Sequence, residues 1–271
     1  MAMTPKLLVV VLAAALTSGG CGAQTNSPQP VSPDALACHL ILFDFSEDTA
    51  LTIERVTEVT TKAAEAAAEA PGTRLEFWAQ GETVQGTRAL FSTVSSASKV
   101  GGKRQKQLQI RRFVKATVDT VVGIMQGLLS APPPRSSPIA ASITKVARSR
   151  DCKCHCTIVV ISDINEYSAV DGQDQECSQT LVSQKDWTAY LDRIGALTPG
   201  QLEGIDLVTF AYVDLGPRTG NRCPGRFSLA RQQVLEALWK GSVTRSGAKS
   251  AEVRSGPPSF VNYTTTQKGD K

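Results

Sequence analysis

Three nearly continuous apolar segments are spaced along the chain, and each predicts a strand that is buried on both faces of a sheet. They are "CHLILFDF" at 38–45, "CTIVVISD" at 156–163 and "IDLVTFAYVDLG" at 205–216. Unbroken apolar runs of this kind are typical of central parallel strands. Two shorter strands, predicted over 74–80 and 87–95, flank a glycine-containing connection that suits a hairpin.

Segments whose apolar residues recur at helical spacing lie between these strands. The longest carries one apolar stripe and ends where "PPPRSSP" interrupts it. The predicted helices cover residues 49–70, 106–131, 139–147, 184–194 and 228–240. Strands that alternate with helices predict an α/β domain, Rossmann-like, whose central sheet is mostly parallel and has helices on both faces.

Two carboxylates end the first two long apolar strands, namely Asp44 and Asp163. A charged group at the end of a buried strand is unfavourable unless something pairs with it. Ligands of open parallel sheets bind beyond the carboxyl ends of the strands, near the switch point of strand order. We therefore expect the functional site at this end of the sheet.

The N-terminus predicts export. Residues 1–20 combine Lys6, an apolar run of about ten residues and the small residues "TSGG", which fits a signal peptide and is too short to span a bilayer. Small residues directly before Cys21 resemble the lipobox of bacterial lipoproteins, which implies a lipidated Cys21 and a cell-envelope location. Ordinary cleavage to a secreted protein is the alternative. Residues 21–36 are rich in Ser, Pro, Gln and Asn and read as a flexible linker.

Composition narrows the functional classes. The chain has 271 residues with 41% hydrophobic and 20% charged residues, which is ordinary for a globular protein. A net charge of +4 is too small to indicate nucleic-acid binding. Both histidines, His39 and His155, fall within predicted strands, so we expect them to be packed and not catalytic.

The order of elements and the "DFSED" and "VISD" segments resemble the von Willebrand factor A domain over residues 37–250. The resemblance implies that family's fold, with one antiparallel edge strand, and its metal-ion-dependent adhesion site at the carboxyl-end face. The matching positions here are Asp44, Ser46, Asp48 in place of a second Ser, Ser137 or Ser136 in place of a Thr, and Asp163.

Two interpretations of this site follow. Carboxylates and hydroxyls supply hard oxygen ligands, which suits Mg²⁺ or Mn²⁺ and a protein partner that completes the coordination. The alternative is structural: Asp48 caps the next helix and Asp44 accepts hydrogen bonds from its own turn. An enzymatic alternative is a metal-dependent hydrolase built on Asp44 and Asp163, with Glu47 or Glu166 as base. We expect a binding or scaffold protein and not an enzyme.

Six cysteines remain when Cys21 is set aside, an even number that suits disulfides in an oxidising compartment. They are Cys38, Cys152, Cys154, Cys156, Cys177 and Cys223. Because the first and fourth strands are neighbours in the resembled family, Cys38 is expected to bond Cys156 or Cys154, and Cys177 is a candidate partner of Cys223. A zinc site in "DCKCHC" is the alternative, although its spacing differs from the usual pairing.

Two further segments of the chain are marked by their polar residues. "KRQKQLQIRR" at 103–112 holds five basic residues, which favours a solvated helix start and also suits anionic lipid, a polyanion or an acidic protein. Residues 251–271 are polar and predict a disordered tail.

Overall fold

The structure is a computed structural model that describes most of the chain from residue 37 onward. The described residues are 37–46, 49, 51–96, 102–134, 136–150, 154–164, 166, 184–212 and 229–261. Within them no helix is long and apolar enough to cross a membrane.

The described residues form six strands and five helices in the predicted alternation. The strands are β1 (Ala37–Phe43), β2 (Thr73–Ala79), β3 (Arg88–Val94), β4 (His155–Ile161), β5 (Ile205–Tyr212) and β6 (Ser250–Ser255). The helices are α1 (Ile53–Glu69), α2 (Lys103–Leu129), α3 (Ile139–Arg148), α4 (Gln184–Ile194) and α5 (Leu229–Arg245).

The strands form one sheet in the order β3-β2-β1-β4-β5-β6. Only β3, at one edge, runs antiparallel to its neighbour. The order reverses between β1 and β4, whose registers are aligned from Ala37 opposite His155 to Phe43 opposite Ile161. The fold is therefore the Rossmann-like α/β sheet with one antiparallel edge strand that the sequence predicted.

Each face of the sheet carries its own hydrophobic core, because the central strands are apolar on both sides. One core joins the sheet to α1 and α2, through Val56, Ala63 and Met125. The other joins the sheet to α3, α4 and α5, through Ile143, Trp187 and Trp239. Helices on both faces confirm the predicted architecture.

The hairpin between β2 and β3 is tied to α3 by one ammonium group. Lys145 Nζ donates to three hairpin carbonyl groups at 2.9, 3.1 and 2.6 Å, those of Val84, Gln85 and Thr87. The turn also needs glycine at Gly81, where a Cβ atom would lie 2.4 Å from the backbone of the facing glycine. The hairpin is thus fixed beside the carboxyl ends of β1 and β2.

The prediction of a disordered tail from residue 251 is wrong for its first part. Strand β6 pairs with β5 from Ser250 to Ser255, and Phe260 packs edge-on against His39 at 5.2 Å between ring centroids. The segment "SAEVRS" is polar because it forms an edge strand, so it lacks the apolar run that marks a central strand. The domain therefore extends past residue 250.

Parallel strands give the sheet two different edges. We call the edge where β1, β2, β4, β5 and β6 begin the amino edge, and the edge where they end the carboxyl edge. Asp44 follows β1 directly at the carboxyl edge and donates its backbone N–H to Ile161 O at 2.9 Å. The residues that follow β1 and β4 therefore lie side by side at the carboxyl edge.

Candidate functional site

Asp44 is a buried carboxylate surrounded by hydroxyl groups. It is 1% exposed, and its Oδ2 accepts hydrogen bonds from Thr49 at 2.9 Å, Ser137 at 2.8 Å and Ser162 at 2.7 Å. Its Oδ1 accepts the backbone N–H of Ser46 at 2.8 Å. Hydrogen bonds to a charged acceptor are stronger than neutral ones, so this set holds Asp44 in one orientation.

The hydroxyl groups form a directed chain. Thr49 donates its one hydroxyl proton to Asp44. The oxygens of Ser46 and Thr49 are 3.0 Å apart, so in this second hydrogen bond Ser46 is the donor and Thr49 the acceptor. Ser137 donates to Asp44 while it accepts from Gln80 Nε2 at 2.9 Å. These residues come from the turn after β1, from the end of β2 and from the segment before α3, and the sheet topology brings them together.

Ser137, and not its neighbour Ser136, occupies the position beside Asp44. The hydroxyl of Ser136 instead donates to the backbone carbonyl of Glu82 in the hairpin. The structure therefore selects one of the two candidates that the sequence offered. Asp48, the remaining predicted metal ligand on this turn, lies outside the described residues.

Asp163 lies at the carboxyl edge near Asp44, and Ser162 contacts both residues. Ser162 Oγ is 3.5 Å from an oxygen of Asp163, 2.7 Å from Asp44 Oδ2, and accepts the backbone N–H of Ile164 at 3.1 Å. Asp163 is 3% exposed. Ser162 thus links the two carboxylates that the sequence singled out.

The turn after β4 holds a strained residue next to these carboxylates. Ile164 has a φ of 60°, in the left-handed region that β-branched residues avoid. Its N–H is bonded to Ser162, and its carbonyl accepts the indole N–H of Trp239 at 2.8 Å. Strained backbone of this kind persists only where the surroundings fix it, and it is concentrated at functional sites.

Glu166 is a second buried carboxyl near Asp44. Its Oε2 accepts the backbone N–H of Ala140 at 2.8 Å, and its Oε1 accepts the hydroxyl of Tyr190 at 3.2 Å. Burial raises the pKa of Glu166 to about 8, with a smaller contribution from the charge of Asp44. Both oxygens are engaged in holding α3 and α4, which does not suit the role of general base in the hydrolase alternative.

The start of α3 is held by a carboxyl group from another part of the chain. The helix begins after Pro138 and has no side-chain cap of its own. The hydroxyl of Ser137 is bonded to Asp44 instead, and Glu166 supplies the acceptor for the first turn. The carboxyl of Glu166 therefore anchors α3 to the site.

The oxygen donors at this edge fit a small divalent cation. A hydroxyl whose proton is donated to Asp44 or to Thr49 keeps a lone pair for a cation, and Mg²⁺ and Mn²⁺ prefer such hard oxygen ligands. Ser46, Ser137 and Asp163 would hold the ion beside Asp44. Among the described residues, no lysine or arginine forms an ion pair with Asp44, and the described groups that contact its carboxylate are hydrogen-bond donors.

The cysteines at the opposite edge form a disulfide, as predicted. Cys38 on β1 is bonded to its register partner Cys156 on β4, with their Cα atoms 4.5 Å apart. Cys154 Sγ lies 3.7 Å from Cys156 Sγ, and Cys154 is disulfide-bonded too. Sulfurs in disulfides offer no thiolate, so the cluster does not suit zinc. Cys21, Cys152, Cys177 and Cys223 lie outside the described residues.

The two histidines lie near the amino edge, away from the carboxylate cluster. Burial lowers the pKa of His39 to about 3, so this ring is neutral. His155 is half exposed, and its Nδ1 lies 2.9 Å from Asp206 Oδ2. His39 is packed in the core as expected, whereas the expectation that His155 is packed is wrong, because its side chain lies exposed beside Asp206.

Two site residues, Thr49 and Ser162, did not enter the sequence-based prediction. Thr49 lies outside the "DFSED" pattern, and only the folded turn returns its hydroxyl to Asp44. Ser162 had a usable signal, because a hydroxyl residue stands directly between β4 and Asp163, and β4 neighbours β1 in the resembled family. The Rossmann-like sheet and the position of these residues at its carboxyl edge are consistent with the expected von Willebrand factor A-like fold.

Comparisons with known proteins show a distant likeness of shape. No protein-family profile matches the chain, and no curated protein matches it. Among solved structures, the PilB minor pilin from Streptococcus sanguinis has 8% identity and a TM-score of 0.43, and its D319A mutant has 8% and 0.42. These matches cover 84% of this chain and 58% of the pilin, so the chain spans little more than half of the pilin's length.

A third solved structure resembles the chain over most of its length. It is an aerotolerance-related membrane protein from Bacteroides fragilis NCTC 9343 with multiple mutations to serines, at 13% identity and a TM-score of 0.38. The match covers 86% of this chain and 95% of that one. At such identities and TM-scores, the function must be inferred from the site itself.

Proposed function

We propose that this protein is an exported, lipid-anchored binding module that captures a protein partner at the carboxyl edge of its sheet, with a Mg²⁺ or Mn²⁺ ion held beside Asp44. The observation that carries the proposal is the burial of the Asp44 carboxylate among hydroxyl groups. This carboxylate is 1% exposed and accepts four hydrogen bonds, yet no described cationic side chain pairs with it. A divalent ion beside Asp44 would place a positive charge next to this buried carboxylate and so stabilise it.

The arrangement supports a binding role over an enzymatic one. The ion would be held by few protein oxygens and would keep coordination positions for water or for an acidic side chain of a partner. The candidate base Glu166 is fixed between Ala140 and Tyr190 and has a raised pKa. The donor set therefore serves recognition of a partner's carboxylate.

The location follows from the sequence. The predicted signal peptide and Cys21 would place the protein in the bacterial cell envelope, and residues 21–36 would tether the domain to the membrane. The Cys38–Cys156 disulfide supports an oxidising compartment.

Site-specific photo-crosslinking in the native host tests the proposal. A photo-reactive residue at the exposed Thr83, in the hairpin beside Ser137, should give a crosslinked protein band. The same label at the exposed Glu69, at the far end of α1, is the matched control and should not give that band. Asp44→Asn or chelation of divalent ions should remove the band. A band that survives both treatments would show partner binding without the ion, and equal bands at both positions would refute the carboxyl edge as the binding face.

A further inference from the structure

The first half of α2 is an exposed basic segment that the site does not use. Every residue from Lys103 to Gln109 is exposed, and the first fully buried residue of the helix is Thr117. Five basic residues fall within residues 103–112, and the first acidic residue of α2 is Asp119. Among the described residues none of these five basic side chains forms an ion pair.

This segment extends past the helix that α2 packs against. Helix α2 has 27 residues and α1 has 17, so α2 is about 15 Å longer at about 1.5 Å per residue. The two helices run in opposite directions, because α1 leads from the carboxyl edge to β2 and α2 leads from β3 back to Ser137. Residues 103–112 therefore project at the amino edge.

The projecting segment carries one basic face with an apolar residue in its middle. Arg104, Leu108, Arg111, Arg112 and Lys115 are three or four residues apart and lie on one side of the helix. Leu108 is 45% exposed. It is one of two large apolar side chains that are exposed among the described residues, and the more exposed of the two. Lys115 is paired with Asp119 at 2.6 Å, so the net charge is concentrated toward the start of the helix.

The amino edge is also where the predicted tether enters the domain. Strand β1 begins at Ala37 at this edge, and residues 21–36 would connect it to the lipid at Cys21. On the proposed lipid anchor, a linker of 16 residues would keep the amino edge within about 55 Å of the bilayer, which lets this edge reach the membrane surface. The carboxyl edge with Asp44 then points away from it.

We propose that the basic face of α2 docks on the anionic headgroups of the membrane and fixes the domain with its Asp44 site turned outward. Lysine and arginine side chains lie flat against a headgroup layer with their charged ends in contact with phosphates, while a single leucine enters the interface. The predicted tether would hold this edge of the sheet near lipid, so an anionic headgroup layer is the surface that the basic face would meet.

Vesicle sedimentation tests this with the processed chain from residue 21 carrying Cys21→Ser, so that no acyl chain contributes. Binding to equimolar phosphatidylglycerol and phosphatidylcholine vesicles is expected, with little binding to phosphatidylcholine alone. The variant R104E/R111E/R112E should bind at least about 100-fold more weakly, since each lost basic residue removes about a fivefold preference for an anionic surface and each added carboxylate is repelled by it. High salt should weaken wild-type binding through screening.

The matched control is R88E/K185E/K240E, which changes the net charge equally at exposed positions on β3, α4 and α5. It should retain most of the binding. If both variants lose vesicle binding equally, only the net charge matters and the proposed face of α2 is refuted. Equal binding of wild type to neutral and anionic vesicles, or no binding to either, would also overturn the proposal. Binding to a soluble polyanion such as heparin without vesicle binding would also overturn it. Because the chain is unacylated, failure here leaves the lipid anchor and the Asp44 site untouched.

Discussion

Replacing Glu166 by Gln should change how the stability of this protein depends on pH. Glu166 is fully buried between Ala140 and Tyr190, and burial raises its pKa from 4.5 to about 8. Between these two values the unfolded chain releases the proton and the folded chain keeps it. Folding stability should therefore fall as the pH rises through this window, because the folded state binds more protons.

The magnitude follows from the size of the shift. One pKa unit corresponds to about 1.36 kcal/mol, so wild type should lose about 3–5 kcal/mol of this contribution between about pH 4.5 and pH 8. Gln imitates the protonated acid: its amide oxygen accepts from Ala140 and its amide nitrogen donates to the oxygen of Tyr190. Glu166→Gln should be near neutral at about pH 5 and stabilising by several kcal/mol at about pH 9.

Urea unfolding at the two pH values, in buffer with a chelator, measures the difference between Glu166→Gln and wild type. The chelator is needed because a cation beside Asp44 would lower the pKa of Glu166. The exposed Glu69→Gln is the control and should show no such crossover. A difference in stability between Glu166→Gln and wild type that is the same at both pH values would refute the raised pKa.

Three further predictions concern other parts of the molecule. Lys145→Met should lower stability by about 1–3 kcal/mol, because three hairpin carbonyls lose a charged donor, and urea unfolding should show no such loss for the exposed control Lys185→Met. The double variant C38A/C156A should lose up to about 5 kcal/mol, since the bond closes a separation of 118 residues, and an unchanged unfolding midpoint would contradict this. Cys21→Ser in the native host should release the protein from the membrane fraction or leave it unprocessed, and wild type without acyl chains by mass spectrometry would disprove the anchor.

The central strands could be predicted because they bury both faces. The runs ending at Asp44 and Asp163 are almost continuously apolar, which is typical of a strand covered on both faces. Strand β6 was missed for the opposite reason, since an edge strand with polar side chains resembles a loop in sequence. Hydrophobicity therefore predicted the strands that carry the site but not the polar edge strand β6.

The site was predictable only as far as the resembled pattern reached. Asp44, Ser46, Ser137 and Asp163 lie at the same edge of the sheet, as the resemblance implied. The roles of Thr49 and Ser162 depend on the turn after β1 and on the β1–β4 register, which no local pattern encodes. The raised pKa of Glu166 likewise results from burial among distant residues.

Thermal unfolding of wild type and Asp44→Asn, with and without Mg²⁺, tests the central claim most directly. With Mg²⁺ at about 100 times its dissociation constant, wild type should gain about 2.7 kcal/mol. For a domain of this size that is a rise in Tm of about 5–10 °C. Asp44→Asn should show no rise, while the exposed control Asp119→Asn should behave as wild type. If Mg²⁺ leaves the wild-type Tm unchanged, and Asp44→Asn costs about 1–3 kcal/mol with or without it, Asp44 is a structural acceptor and the ion-dependent site is refuted.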